Sequence, residues 1–207
     1  MSKGVRWRVL VLQVGLVGIL GFVAGFLFWG SNFTRSTVTS QLAIQQITFP
    51  TANSAAIKAL PASDASAMRQ YAGEKMTTGD QAEVWADDFI AVHLHDMGMT
   101  YSQASAAAQA NPGNAKLASL EATIFQGTTL RSMLLNAYGW WTIGSYALFA
   151  GIGLAIAAFV VLLALGFELW RWAVAVPEVN PEAAAVRAPS RSVADHGVAR
   201  FTQHDKS

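Results

Sequence analysis

Two long runs of the chain carry no charged side chain, and they constrain its fold more than any other feature. Residues 9–29 hold Gln13 as their one strongly polar member, and residues 142–167 contain no Asp, Glu, Lys, Arg or His. At about 1.5 Å per helical residue, the roughly 21 residues of the first match a hydrocarbon core of about 30 Å, and the roughly 26 of the second cross it with some tilt. A buried core helix could show the same composition, but the remaining chain is too small and too polar to wrap two of them. The whole chain is 53% hydrophobic and 13% charged, against about a quarter charged in ordinary soluble domains. The sequence therefore predicts an all-α membrane protein with two transmembrane helices.

Lys3, Arg6 and Arg8 give the first run a positive flank like the n-region of a signal peptide. The run is longer than the usual h-region of about 7 to 15 residues, and Trp29-Gly30-Ser31-Asn32-Phe33 offers no A-x-A-like cleavage signal. We read it as an uncleaved anchor. The same three cations, with Arg171 and Arg187 beyond the second run, place both termini in the cytoplasm of a multi-pass cell-membrane protein. The intervening residues 30–141 carry six Lys or Arg against eight Asp or Glu, a net of −2. The division predicted is thus an N-terminus of residues 1–8, a first span of 9–29, an extracytoplasmic helical domain of 30–141, a second span of 142–167 and a disordered cytoplasmic tail of 168–207.

Trp7, Trp29, Trp140, Trp141, Trp170 and Trp172 fall near these boundaries, where an indole buries its ring and keeps its N–H wet. Trp85 alone lies elsewhere. Within the first span Gly15, Gly18, Gly21 and Gly25 share a face, and in the second Gly144, Ala147, Gly151, Ala155 and Ala158 do the same. Lipid gives helices no hydrophobic drive to associate, so such small faces allow the close approach that association needs. They predict packing of the spans on each other, or of one face on a membrane-protein partner. With no ionisable group inside either span, an ion pathway built from this chain alone is not expected. Glu168 and Arg171 form an i,i+3 pair at the cytoplasmic edge.

About 110 residues between the spans are too many for a plain loop. The stretch after Gly30 reads as a short helical continuation followed by extended chain around Ile44 to Phe49. Ser63 is placed to cap a helix over 64–71, with Gly73 as its stop. A longer helix is predicted over 79–96, capped by Thr78 or Asp80 and closed by Gly98, with Ala82, Trp85, Phe89 and Val92 as its core stripe. Thr100 or Ser102 opens another before Asn111-Pro112-Gly113. A last pattern of Leu117, Leu120, Ile124, Leu130 and Leu134 leads into the second span, with Gly127 and Gly139 as possible breaks.

Chemistry is sparsely provided. The chain has no cysteine, which excludes disulfides, thiol nucleophiles and zinc-thiolate or iron–sulfur sites. Its net charge of +1 supplies no field for nucleic acid. His93-Leu94-His95-Asp96 is the one cluster that invites a metal reading. Residues two apart on a helix point about 200° apart, so His93 and His95 converge on an ion only if the helix frays toward Gly98. Otherwise one ring caps the helix end and the other packs on the domain. Asp87 and Asp88, adjacent and diverging, suit a solvated face. Asn32-Phe33-Thr34 matches a glycosylation sequon, with meaning only in a host that uses it. No catalytic, cofactor-binding or metal site is assigned.

The segments Val38-Thr39-Ser40-Gln41-Leu42, Gln46-Ile47, Gln81-Ala82-Glu83-Val84, His93-Leu94, Met99-Thr100-Tyr101 and Thr129-Leu130-Arg131-Ser132-Met133-Leu134 resemble a group of small actinobacterial membrane proteins with two spans and a helical exported segment. The resemblance covers most of residues 9–167. Its members often carry the label of aromatic ring-opening dioxygenase, a chemistry that on non-haem iron uses two His and a carboxylate. The resemblance implies a two-span membrane protein. With interaction faces present and catalytic groups absent, the expectation is a non-enzymatic accessory or scaffolding subunit of a larger cell-envelope or respiratory membrane complex. A metal-binding or metal-dependent extracytoplasmic module at His93, His95 and Asp96, or an extracytoplasmic ligand sensor, is the alternative.

Overall fold

The computed structural model describes residues 3–174. Among these, 83% are helical and no strand forms, and two helices are long and apolar enough to cross a membrane. The order is α1 (Lys3–Ile44), α2 (Ala55–Lys58), α3 (Ala62–Gln70), α4 (Gly79–Val84), a π-helical segment (Trp85–Ile90), α5 (Ala91–Asp96), α6 (Tyr101–Ala110) and α7 (Ala115–Val174). The chain divides into two units, Met1–Gly166 and Phe167–Ser207, and residues 167–174 of the second are described as the end of α7. The predicted tail therefore begins as helix, and the rest of it lies outside the described residues.

Both apolar runs belong to helices far longer than a bilayer requires. α1 continues past Gly30 as expected, but further than a short continuation, to Ile44; Gln46 then takes φ 53° and turns the chain out of the helix into the extended residues 47–49. That left-handed position is usually filled by glycine, so residue type gave no warning of it. α7 passes straight through Gly127 and Gly139. A helix tolerates isolated glycines when packing holds it on either side, and Leu94 lies close against Gly127. Asn114 opens α7 by accepting the Lys116 and Leu117 N–H groups at 3.1 and 3.3 Å.

The two long helices run antiparallel. A Cβ on Gly144 would lie 3.0 Å from Arg35 Cγ and 3.5 Å from Ser31 O, and one on Gly151 would lie 3.1 Å from the Phe28 ring and 3.4 Å from Leu27 Cβ. As α7 advances, its neighbours on α1 recede. Gly144, Gly151 and Ala158 are buried, so the small-residue stripe of α7 is the face that meets α1. The glycines of α1 are not the complementary face. A Cβ added at Gly15, Gly18, Gly21 or Gly25 would meet nothing within 4 Å, while Ala24 and Ser31 sit in the contact instead.

Between the helices the chain folds onto their extensions. Val38 and Leu42 of α1 and Leu134 and Trp141 of α7 join Phe49, Ile57, Met68, Met76, Ala82 and Ala86 in one apolar core. The domain is thus not a separate body hung between two anchors; the long helices supply two of its walls. Residues 47–49 lie antiparallel to 73–76 through Phe49 N–H to Glu74 O (2.8 Å) and Met76 N–H to Ile47 O (2.9 Å), a single bridge rather than a sheet.

The local helix signals fare unevenly. Thr78 and Gln81 form a reciprocal capping box at α4, and Thr100 and Gln103 form another at α6. Gly73 and Gly98 close their helices at φ 78° and 71°. Ser63 is not a cap: α3 starts two residues sooner than predicted, at Ala62 after Pro61, and the Ser63 hydroxyl turns to Asp64 Oδ1 at 3.1 Å. Proline's preset φ suits the entry to a helix without a side-chain cap. The helix predicted over 79–96 is broken in character by the π-helical turns of Trp85–Ile90.

Candidate functional site

The place where the two apolar runs pass into the domain is organised by Trp141. Its indole lies 7% exposed in the core, its Nε1–H donates to Asp80 Oδ2 at 3.0 Å, and the Arg35 guanidinium rests 4.2 Å from its ring centroid. Asp80 is in the first turn of α4, where a carboxylate also favours the helix dipole. Gly79 beside it is buried, and a Cβ there would overlap Trp141 Cβ. Trp141 is therefore a structural link and not the wet boundary anchor expected for it. Trp29 and Trp140 are 61% and 54% exposed.

Directly beyond this junction the α1 and α7 extensions enclose an apolar groove of about 490 Å3. Val38 and Leu42 face Leu134 and Ala137 across it, Phe33 and Trp140 lie at the end nearest the spans, and Ile47, Trp85 and Ile90 lie at the other. The π-helical segment explains that far end. An α-helix turns about 100° per residue, which would set Trp85 and Ile90 about 140° apart, whereas i→i+5 bonding brings residues five apart onto one face. Trp85, the tryptophan that membrane anchoring did not account for, also packs edge-on to Phe49 at 5.0 Å. Nothing in the apolar periodicity of residues 79–96 announced the change of helix type.

The same segment sends its two carboxylates different ways, as expected for neighbours, but neither is idle. Asp87 Oδ1 receives both Nη2–H and Nε–H of Arg131, at 2.7 and 3.2 Å. Asp88 turns to Asp64 of α3: partial burial, then the charge and hydrogen bonding of that second carboxyl, raises its pKa above the usual carboxylate value. A sequence separation of 24 residues concealed the pair. Gln81 is the other polar centre, 5% exposed. Its Oε1 accepts the Thr77 and Thr78 N–H groups at 2.7 and 3.1 Å, and its Nε2–H donates to Glu74 at 2.9 Å.

His93 and His95 are held apart. The His93 ring packs on Phe89 with centroids 4.4 Å apart and places Nδ1 2.6 Å from Phe89 O. His95 is solvent-exposed, 3.8 Å from Asp96. Among the described residues no group of three or more His, Asp or Glu is gathered in a way that would hold a metal ion. Asn32 and Thr34 of the sequon lie inside α1, with the Thr34 hydroxyl donating to Gly30 O at 2.8 Å.

Fold and site together define a helical protein in which two helices of membrane-spanning length also frame a small apolar-cored domain. Compared with protein-family models, curated proteins and solved structures, the chain matches none.

Proposed function

We propose that this is a non-enzymatic integral membrane protein serving as an accessory or scaffolding subunit of a larger cell-envelope or respiratory complex. The observation that carries the reading is the asymmetry of the helix pair. α7 spends its small residues on α1, whereas the glycine face of α1 stays open to a helix of a partner. The cation distribution supports cytoplasmic termini and an extracytoplasmic domain, and the resemblance to actinobacterial two-span proteins agrees. Affinity purification of the tagged chain from native membranes in mild detergent is the test. Recovery with a stoichiometric membrane partner, lost on Gly21→Leu, is expected; recovery alone in good yield sinks the reading.

Topology is tested separately. Because the chain has no native cysteine, Gln109→Cys and Ser190→Cys each introduce a unique thiol. A membrane-impermeant maleimide added to intact cells should label the first and spare the second, and the reverse pattern overturns the orientation. The groove favours a second reading, an extracytoplasmic module that binds an apolar ligand.

A further inference from the structure

We propose that the groove between the α1 and α7 extensions holds the single hydrocarbon chain of a long-chain fatty acid taken from the adjoining membrane leaflet. The proposal rests on the membrane placement of the two spans and is independent of any partner complex.

Phe33 lies four residues past Trp29, about 6 Å along the helix axis, and Trp140 precedes the second apolar run by two residues. The Phe33 and Trp140 end of the groove therefore adjoins the two apolar runs. The wall on α1 reaches from Phe33 to Gln45, about 18 Å of helix, close to the thickness of one leaflet, half of about 30 Å. Ile47, Trp85 and Ile90 line the other end, and a space of this length and volume fits one chain, not the two of a phospholipid. A volume near 490 Å3 falls within the range of about 300 to 1,000 Å3 for ligand sites.

No charged side chain lines the groove; its two hydroxyls are already used, Thr34 on Gly30 O and Thr37 on Phe33 O, both at 2.8 Å, and its three amides, Gln41, Gln45 and Asn136, are solvent-exposed residues. Recognition therefore falls on the hydrocarbon. Phe33, Leu130, Met133 and Trp140 remain 54% to 64% exposed around the rim, and an apolar chain lying between them removes that surface from water.

The test uses the full chain in phosphatidylcholine/phosphatidylglycerol vesicles containing a trace of palmitic acid with a diazirine at its methyl end. After photolysis, adducts mapped by mass spectrometry are expected on residues 85–90, at the end away from the spans. Filling the groove with Ala137→Trp, or with Thr37→Trp at an exposed position should the first misfold, is expected to reduce those adducts about tenfold. Adducts confined to residues 9–29 and 142–167, or insensitive to both variants, overturn the proposal. So does equal labelling by a diazirine phospholipid, or a copurifying protein crosslinked in the groove instead. Release of the protein from vesicles by alkaline carbonate is a distinct result: it removes the membrane reading itself, and the leaflet as the source.

Discussion

The indole N–H of Trp141 donates to Asp80 Oδ2 at 3.0 Å across 61 residues of sequence, joining the beginning of the second apolar run to the N-terminus of α4. Trp141 also lies under Arg35 of α1, so one side chain ties both long helices to the domain between them.

This link yields the first prediction. Asp80→Asn and Trp141→Phe should each lower stability, and together they should do so by less than the sum, with a coupling of about 0.5 to 3 kcal/mol for groups in contact. Thermal unfolding of the detergent-solubilised protein followed by circular dichroism gives the cycle. Strict additivity would mean the hydrogen bond contributes nothing in solution.

Gly79 permits the close seating of Trp141, and the atom it would strike is Trp141 Cβ, close to the backbone and unable to swing aside. Gly79→Ala should therefore destabilise by about 1 to 3 kcal/mol, the cost of overpacking. An unchanged melting temperature would show that α4 shifts freely against α7.

Gly151 and Gly21 form a matched pair. Gly151→Leu forces a side chain into Phe28 and Leu27, whereas Gly21→Leu enters open space. Gly151→Leu should lower the melting temperature of the purified chain and Gly21→Leu should not. Equal effects would mean that the helix pair is arranged differently in detergent.

Gln81 is buried between the Thr77 and Thr78 amides and Glu74. Removing it in Gln81→Ala strands those groups and should cost about 1 to 3 kcal/mol. Gln81→Glu keeps the capping acceptor but sets a second carboxylate against Glu74, so its penalty should shrink in acid, where protonating the introduced carboxyl removes the repulsion. A penalty that is constant from pH 7 to pH 4 would contradict this.

Asp88 supplies a dependence on pH in the wild-type chain. Its folded pKa is raised, by burial first and then by Asp64, so the folded state holds this proton more tightly than the unfolded chain. Its ionisation consequently lowers stability as pH rises from the ordinary carboxylate range, about 4, through the raised value. Asp88→Asn should raise the melting temperature at pH 7 and lose that advantage at pH values below about 4. The same advantage at both pH values would assign the effect to something other than the charge.

What was legible in the sequence was what depends on near neighbours and on solvent. Uncharged runs of spanning length, the Thr78 and Thr100 capping boxes and the closing glycines 73 and 98 are decided within about one turn of chain, or by transfer of a segment between water and hydrocarbon. The all-helical character followed from them. What only the tertiary structure decided was how far the helices continue and which faces meet. α1 extends to Ile44 because Val38 and Leu42 find a core built by residues up to a hundred positions away. Gln46 adopts φ 53° where packing requires the turn. The Asp88–Asp64 and Asp87–Arg131 pairs, the burial of Trp141 and the groove that Trp85 and Ile90 help to line likewise need distant segments brought together. Local composition determined that two helices could enter a bilayer, and long-range packing alone determined that they would also wall a domain, because side-chain contact energies exist only once both partners are in place.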